Sequence, residues 1–196
     1  MYTVNIVVMD LVGSKRSHFM GDLNEYSMKC DQDEGYQNHL KRNPDSLPAH
    51  WWTHAHIKNI NNDSAIQQVD LRFYRLSVSG EDKKLAEENF NAYINIVNGY
   101  IFVITDEEST WSTTRRIIQS YQAKLSSPFI IFVEDRDIHD IDVPRLRKGI
   151  GVDDNIEVFA YRNGLKSELE NVVLGICYCI LDDLEAKMNQ DTNEEP

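Results

Sequence analysis

The chain has 196 residues, enough for one domain with a substantial core, and its 41% apolar and 27% charged content is that of a folded globular protein with polar flanks. A formal net charge of −12 and a pI near 4.9 exclude a broad attraction to nucleic acid or anionic membrane, both of which need clustered lysine and arginine. Protein partners, in a hetero-oligomeric complex, are the expected class.

No run of ~18 apolar residues is present, and the opening MYTVNIVVMD lacks the basic start and long apolar centre of a secretion signal. Tyr2 stands where myristoylation needs glycine, and the closing NQDTNEEP carries no prenylation cysteine. The expectation is a cytoplasmic or nuclear protein with no direct membrane anchor. Cys30, Cys177 and Cys179 form no metal-type CxxC pairing and read as reduced, structural thiols.

Residues 3–9, TVNIVVM, are a short β-branched run that predicts a buried strand, with a helix following over 15–28. Residues 29–48 lack periodicity and are rich in turn formers, so a long loop is expected there, followed by two strands at 50–60 and 67–78 joined as a hairpin. Leu85, Phe90, Tyr93, Ile94 and Val97 share one face of an amphipathic helix over 81–97. YIFVITD at 100–106 is the clearest buried strand, and Ser109 or Thr110 is the expected cap of a helix to about Lys124. PFIIFVED at 128–135 repeats the strand pattern, a short helix is expected near 144–150, and IEVFAY at 156–161 reads as the last strand. In the final helix, 165–188, Leu169, Val172, Val173, Ile176, Cys177, Ile180, Leu181 and Leu184 form one apolar stripe, and the acidic residues 189–196 are expected to be a disordered tail. The order predicts an α/β domain over 1–188: three layers, with a mostly parallel six-stranded sheet and one antiparallel edge strand.

This order, together with MDLVGSKRSH after the first strand, resembles the Ras-like small GTPases over about residues 3–188. Their phosphate loop, G-x-x-x-x-G-K-[ST], needs glycines for close backbone approach, a lysine to neutralise phosphate and a hydroxyl to hold Mg²⁺. Here Asp10 replaces the first glycine, Lys15 the second and Arg16 the lysine, while Ser17 is kept and Gly13 lies in the variable middle. A carboxylate at Asp10 facing phosphate would cost about 4 kcal/mol per like-charge pair at ~4 Å and an effective dielectric of ~20. Lys15 and Arg16 at a helix start would still attract an anion.

In the DxxG motif Gly80 is kept, but the magnesium-shell acid falls on Ser77 or Arg75, and Glu81 takes the place of the water-positioning glutamine. The base-reading NKxD motif matches EDRD at 134–137, where Asp137 is kept while Glu134 and Asp135 replace Asn and Lys, converting the site into an acidic, solvated loop end. FAY keeps only Ala160 of the SAK motif, and Ser46 or Thr53 would be the switch I hydroxyl.

The resemblance thus implies a Ras-like P-loop GTPase fold retained without its cofactor, that is, a pseudo-GTPase serving as an adaptor or structural subunit with no catalytic residues. Its contact surface is expected at the edge hairpin, around Trp51, Trp52, His54 and His56, since aromatic residues and open strand edges anchor partners. The alternative is a divergent, slowly hydrolysing GTPase that holds GTP or GDP with Mg²⁺ through Gly13, Arg16, Ser17, Gly80 and Asp137. His39, His50, His54 and His56 invite a metal, but a zinc site needs three or four ligands in a fixed geometry and no matching cysteine or acidic partner is indicated by spacing, so no metal site is expected. Arg115 with Arg116, and Arg145 with Arg147 and Lys148, read as solvated helix faces.

Overall fold

A computed structural model describes residues 2–11, 18–26, 28–29, 51–59, 62–77, 96–125, 127–135, 141–162 and 166–191. Seven strands form one sheet: β1 (Tyr2–Asp10), β2 (Met28–Lys29), β3 (Trp51–Asn59), β4 (Asn62–Ser77), β5 (Gly99–Thr105), β6 (Phe129–Asp135) and β7 (Val158–Arg162). Their order is β2-β3-β4-β1-β5-β6-β7. The described helices are α1 (His18–Tyr26), α2 (Glu108–Gln122), α3 (Val143–Ile150) and α4 (Lys166–Asp191).

From β4 to β7 every pairing is parallel, and β3 runs antiparallel to β4 as the hairpin predicts. The sheet has one strand more than expected, because Met28 and Lys29 pair antiparallel with Trp52 and Trp51. Two residues are too short to leave a periodic pattern, so this strand is invisible in the sequence.

Alternation along the strands divides the core in two. Val7 and Met9 of β1, Tyr100, Phe102 and Ile104 of β5, and Ile131 and Val133 of β6 meet Ile118 and Tyr121 of α2 and Leu146 and Ile150 of α3. Ile6, Val8, Ile101, Val103, Ile130 and Phe132 take the other face, under Phe19 and Leu23 of α1 and the stripe from Leu169 to Ile180 of α4. The central strands carry apolar residues at successive positions because both their faces are covered.

The stripe of α4 is buried as predicted through Ile180, but Leu184 is 45% exposed. The helix itself continues to Asp191, past the boundary set for the tail. Helix α2 begins at Glu108, earlier than a Ser109 or Thr110 cap implies: Thr110 lies in the first turn and donates its hydroxyl and amide to the Glu107 carbonyl. The predicted helix at 81–97 lies largely outside the described residues, and at its end Ile96–Asn98 are not helical.

Of the basic residues of α2 and α3, Arg116 and Lys148 are exposed as expected, whereas Arg115, Arg145 and Arg147 also tie elements together. Arg115 donates to the Lys148 and Gly149 carbonyls, which end α3, and Arg145 pairs with Glu108. Arg147 donates to the Ile156 carbonyl at 2.6 Å. Asp142 caps the start of α3 by accepting from the Arg145 amide, and Gly151 ends it at φ 71°, in the left-handed region that favours glycine. A side chain at Gly149 would collide with the Trp111 ring, so the α2–α3 contact requires glycine there.

Burial pushes the Tyr100 hydroxyl up from 10.0 to about 12. The folded state therefore holds this proton more tightly than the unfolded chain. Its contribution is intact below pH ~10 and is lost as pH rises towards ~12, amounting to about 2–3 kcal/mol. Denaturation followed across that window should show the loss in the wild type and a flatter profile in Tyr100→Phe.

Candidate functional site

The chain leaves β1 toward α1 on one face of the sheet and leaves β5 toward α2 on the other. In an open α/β sheet such a reversal opens a crevice beyond the carboxyl ends of the strands, the usual seat of a ligand. Here the crevice lies beyond Asp10, Ser77, Thr105 and Asp135, the last residues of β1, β4, β5 and β6.

Asp10 is fully buried at the end of β1. Its Oδ2 lies 3.4 Å from Nη2 of Arg75, whose side chain is 30% exposed. Register explains the meeting: Val8 aligns with Arg75 and Asp10 with Ser77, so the long Arg75 side chain, on the face shared by Ile6 and Val8, reaches one pleat toward the strand ends. The lone carboxylate inferred from the sequence is therefore held beside a cation, and the electrostatic penalty assigned to it against phosphate is offset by an attraction of similar size.

Glu134 corrects a second expectation. It is not part of a solvated acidic loop but 5% exposed, and its Oε1 accepts the Phe19 amide at 2.7 Å in the first turn of α1. The amides of a helix start lack intrahelical acceptors and carry partial positive charge, which a carboxylate satisfies on both counts. The cue available in the sequence was a strand-ending acid in a fold that brings β6 beside the helix after β1.

Of the residues proposed to hold nucleotide, Gly13, Arg16 and Ser17, together with Lys15, lie outside the described residues, as do Gly80, Glu81 and Asp137. His39, Ser46 and His50 lie outside them too. Trp51, Trp52, His54 and His56 are on β3, where Trp51 aligns with Phe73, Trp52 with Arg72, His54 with Asp70 and His56 with Gln68. The edge is not open along all of that segment, because β2 pairs with Trp51 and Trp52. Ala160 is exposed on β7 and Thr53 half-buried on β3. Among the described residues no group of three or more His, Cys, Asp or Glu is placed to hold a metal ion.

These features define the α/β fold of the P-loop GTPase domains. The chain is similar in structure to the FeoB G-domain of Methanococcus jannaschii, with a TM-score of 0.51 and 12% identity over 92% of this chain and 99% of that one. It is also similar to Aquifex aeolicus Era bound to GDP·AlF4−, with a TM-score of 0.51 and 12% identity over 91% of this chain and 57% of that one. A further structure, Era in complex with MgGDPNP and a segment of 16S ribosomal RNA, matches with a TM-score of 0.50 and 14% identity over the same shares. The chain thus spans just over half the length of the Era chains. No protein-family model and no curated protein matches the sequence.

The neighbours overturn the expectation that the fold is kept without a cofactor. They are GTPase domains, and two of them hold a bound guanine nucleotide, so the fold itself gives no ground for expecting the cofactor to be lost. Altered side chains alone do not abolish a phosphate seat, because a strand-to-helix turn also meets phosphate through backbone amides, which most substitutions leave in place.

A magnesium ion of the kind bound with GDPNP in Era does not fit the described residues of this crevice. Ser77 ends β4 where the shell acid belongs, Asp10 is already tied to Arg75, and the guanidinium is a fixed positive charge.

The described helices include none long and apolar enough to cross a membrane. Cys177 is buried and Cys179 half-buried, both as free thiols, and burial pushes the Cys177 thiol up to about 12, so it has little thiolate character.

Proposed function

We propose that the chain is a hydrolysis-deficient GTPase-like protein, which binds a guanine nucleotide at the strand-end crevice and acts as an adaptor or structural subunit through protein contacts. The observation that carries this reading is the Asp10–Arg75 pair at the crevice. Phosphoryl transfer in P-loop GTPases depends on positioned water and on a metal ion that neutralises developing charge. The pair puts two mutually cancelling charges where that apparatus would be anchored.

The nucleotide part is supported by the fold and its neighbours. The adaptor part is supported by the −12 net charge, which disfavours nucleic acid, and by the β3–β4 hairpin, which extends the sheet beyond β1 on the side where Ras-like proteins meet partners.

Purified full-length protein should contain or take up GDP, and single-turnover hydrolysis of GTP should stay at the uncatalysed background. Turnover clearly above background would overturn the hydrolysis-deficient reading in favour of a divergent active GTPase. Failure to bind any guanine nucleotide would overturn the nucleotide part.

A further inference from the structure

We propose that the outer edge of β7 is a docking site for an extended, lysine- or arginine-rich segment of a partner protein, which adds to the seven-stranded sheet as a further strand. The proposal goes beyond the nucleotide reading and stands or falls without it.

β7 ends the sheet, and among the described residues it pairs with β6 alone. The Ile131 amide donates to the Glu157 carbonyl at 2.9 Å, which sets the phase of the parallel ladder. Glu157, Phe159 and Tyr161 thus turn their backbone groups toward β6, and Val158, Ala160 and Arg162 turn theirs outward. The register runs from Ile131 to Asp135 without a shift, so no bulge bends this edge away. From Val158 to Tyr161 the strand reads VFAY and carries neither the lysine nor the proline that commonly protects an edge. Ala160 is exposed, so the centre of the edge is open to solvent, and its small side chain leaves room for a larger one on an added strand. Such an edge offers backbone hydrogen bonds to an extended segment, while the flanking side chains choose among segments.

The flanking charge here is negative. Asp153, Asp154 and Glu157 are exposed just ahead of the strand. Burial first, and then the carboxylates of Glu157 and Asp182, push the Cys179 thiol up, so both acids lie about one point on the α4 side of β7. Arg147, which reaches the same end of the strand, is taken up by the Ile156 carbonyl at 2.6 Å. A basic segment is drawn to this rim and an acidic one is repelled. A second copy of the chain brings a net charge of −12 to a surface of the same sign, which disfavours self-pairing.

The test uses the full chain and two labelled, end-blocked decapeptides, one alternating lysine with valine and the other glutamate with valine. The lysine peptide should slow hydrogen exchange at the outward Val158 and Ala160 amides by about tenfold or more and leave the Phe159 amide, already bonded to β6, unchanged. The glutamate peptide should slow none of them. Ala160→Pro removes an outward N–H but no rung of the β6 ladder, so it should weaken the lysine peptide about tenfold in fluorescence anisotropy while Tm stays close to wild type. Asp153→Asn/Asp154→Asn/Glu157→Gln should abolish the preference between the peptides, and it carries the test if Ala160→Pro fails to fold.

An affinity for the lysine peptide that Ala160→Pro leaves unchanged would put the peptide elsewhere on the acidic surface and overturn the proposal. So would equal binding of both peptides, or binding of neither. Protection of Val158 and Ala160 that grows with protein concentration in the absence of peptide, with dimers in sedimentation that Ala160→Pro dissolves, would give the edge to a second copy and overturn it as well. None of these outcomes involves GDP, so each is distinct from failure of the nucleotide reading.

Discussion

Phe132→Ala is expected to lower the free energy of unfolding by about 3–5 kcal/mol, the range for deleting a fully buried aromatic side chain. Phe132 has no exposure and lies in the centre of β6, between α1 and α4. Its ring is tilted at 52° against that of Phe19, with centroids 4.4 Å apart, so the deletion removes both buried area and the main aromatic support of the first turn of α1. The surrounding strands are held by ladders on both sides and cannot close fully on the space left behind. Urea denaturation should show the midpoint falling with little change in slope. Phe132→Leu, which keeps most of the volume, should cost less than about half as much.

Glu134→Ala is expected to cost about 2–3 kcal/mol, the order for losing a buried hydrogen bond to a charged acceptor while its donor stays in place. The bond from the Phe19 amide ties residues 115 positions apart in the chain. Two effects add: the amide at the helix start loses its acceptor, and the positive end of α1 loses a compensating charge. Glu134→Gln keeps an oxygen acceptor and removes only the charge, so it should retain about half of the stabilisation. A glutamine variant as unstable as the alanine variant would show that charge, and not the hydrogen bond, is the larger part. Because α1 follows the candidate phosphate loop, the alanine variant should also weaken the binding of GDP, while Phe132→Leu should leave its affinity close to wild type.

Both substitutions bear on the same joint, where β6 meets the start of α1. Phe132 and Glu134 are two residues apart on one sheet face, the first holding α1 by packing and the second by a charged hydrogen bond. In a nucleotide-binding GTPase fold this joint sets where the strand-to-helix turn after β1 can lie. Its rigidity is thus a condition for any ligand seat beyond Asp10.

The apolar runs of β1, β5 and β6 and the stripe of α4 were legible in the sequence, because burial on a given face is a local property with a period of 2 or 3.6 residues. The α/β class, the antiparallel hairpin and the succession of elements followed from those periods and from turn residues. The likeness to GTPase domains followed from the same order, and structural comparison bears out the fold at 12–14% identity.

What the sequence did not disclose are the charges at the strand ends. Asp10 read as an unaccompanied acid and Glu134 as a solvated one, yet each has its counterpart 65 or 115 residues away. Arg115 and Arg147 read as solvent-facing, yet they hold the end of α3 and the Ile156 carbonyl. Periodicity tells which side of an element is buried but carries no information about which charge lies across from it. That depends on sheet order and register, which emerge only when distant segments are brought together, and it is there that tertiary structure set Arg75 beside Asp10 and the start of α1 against Glu134.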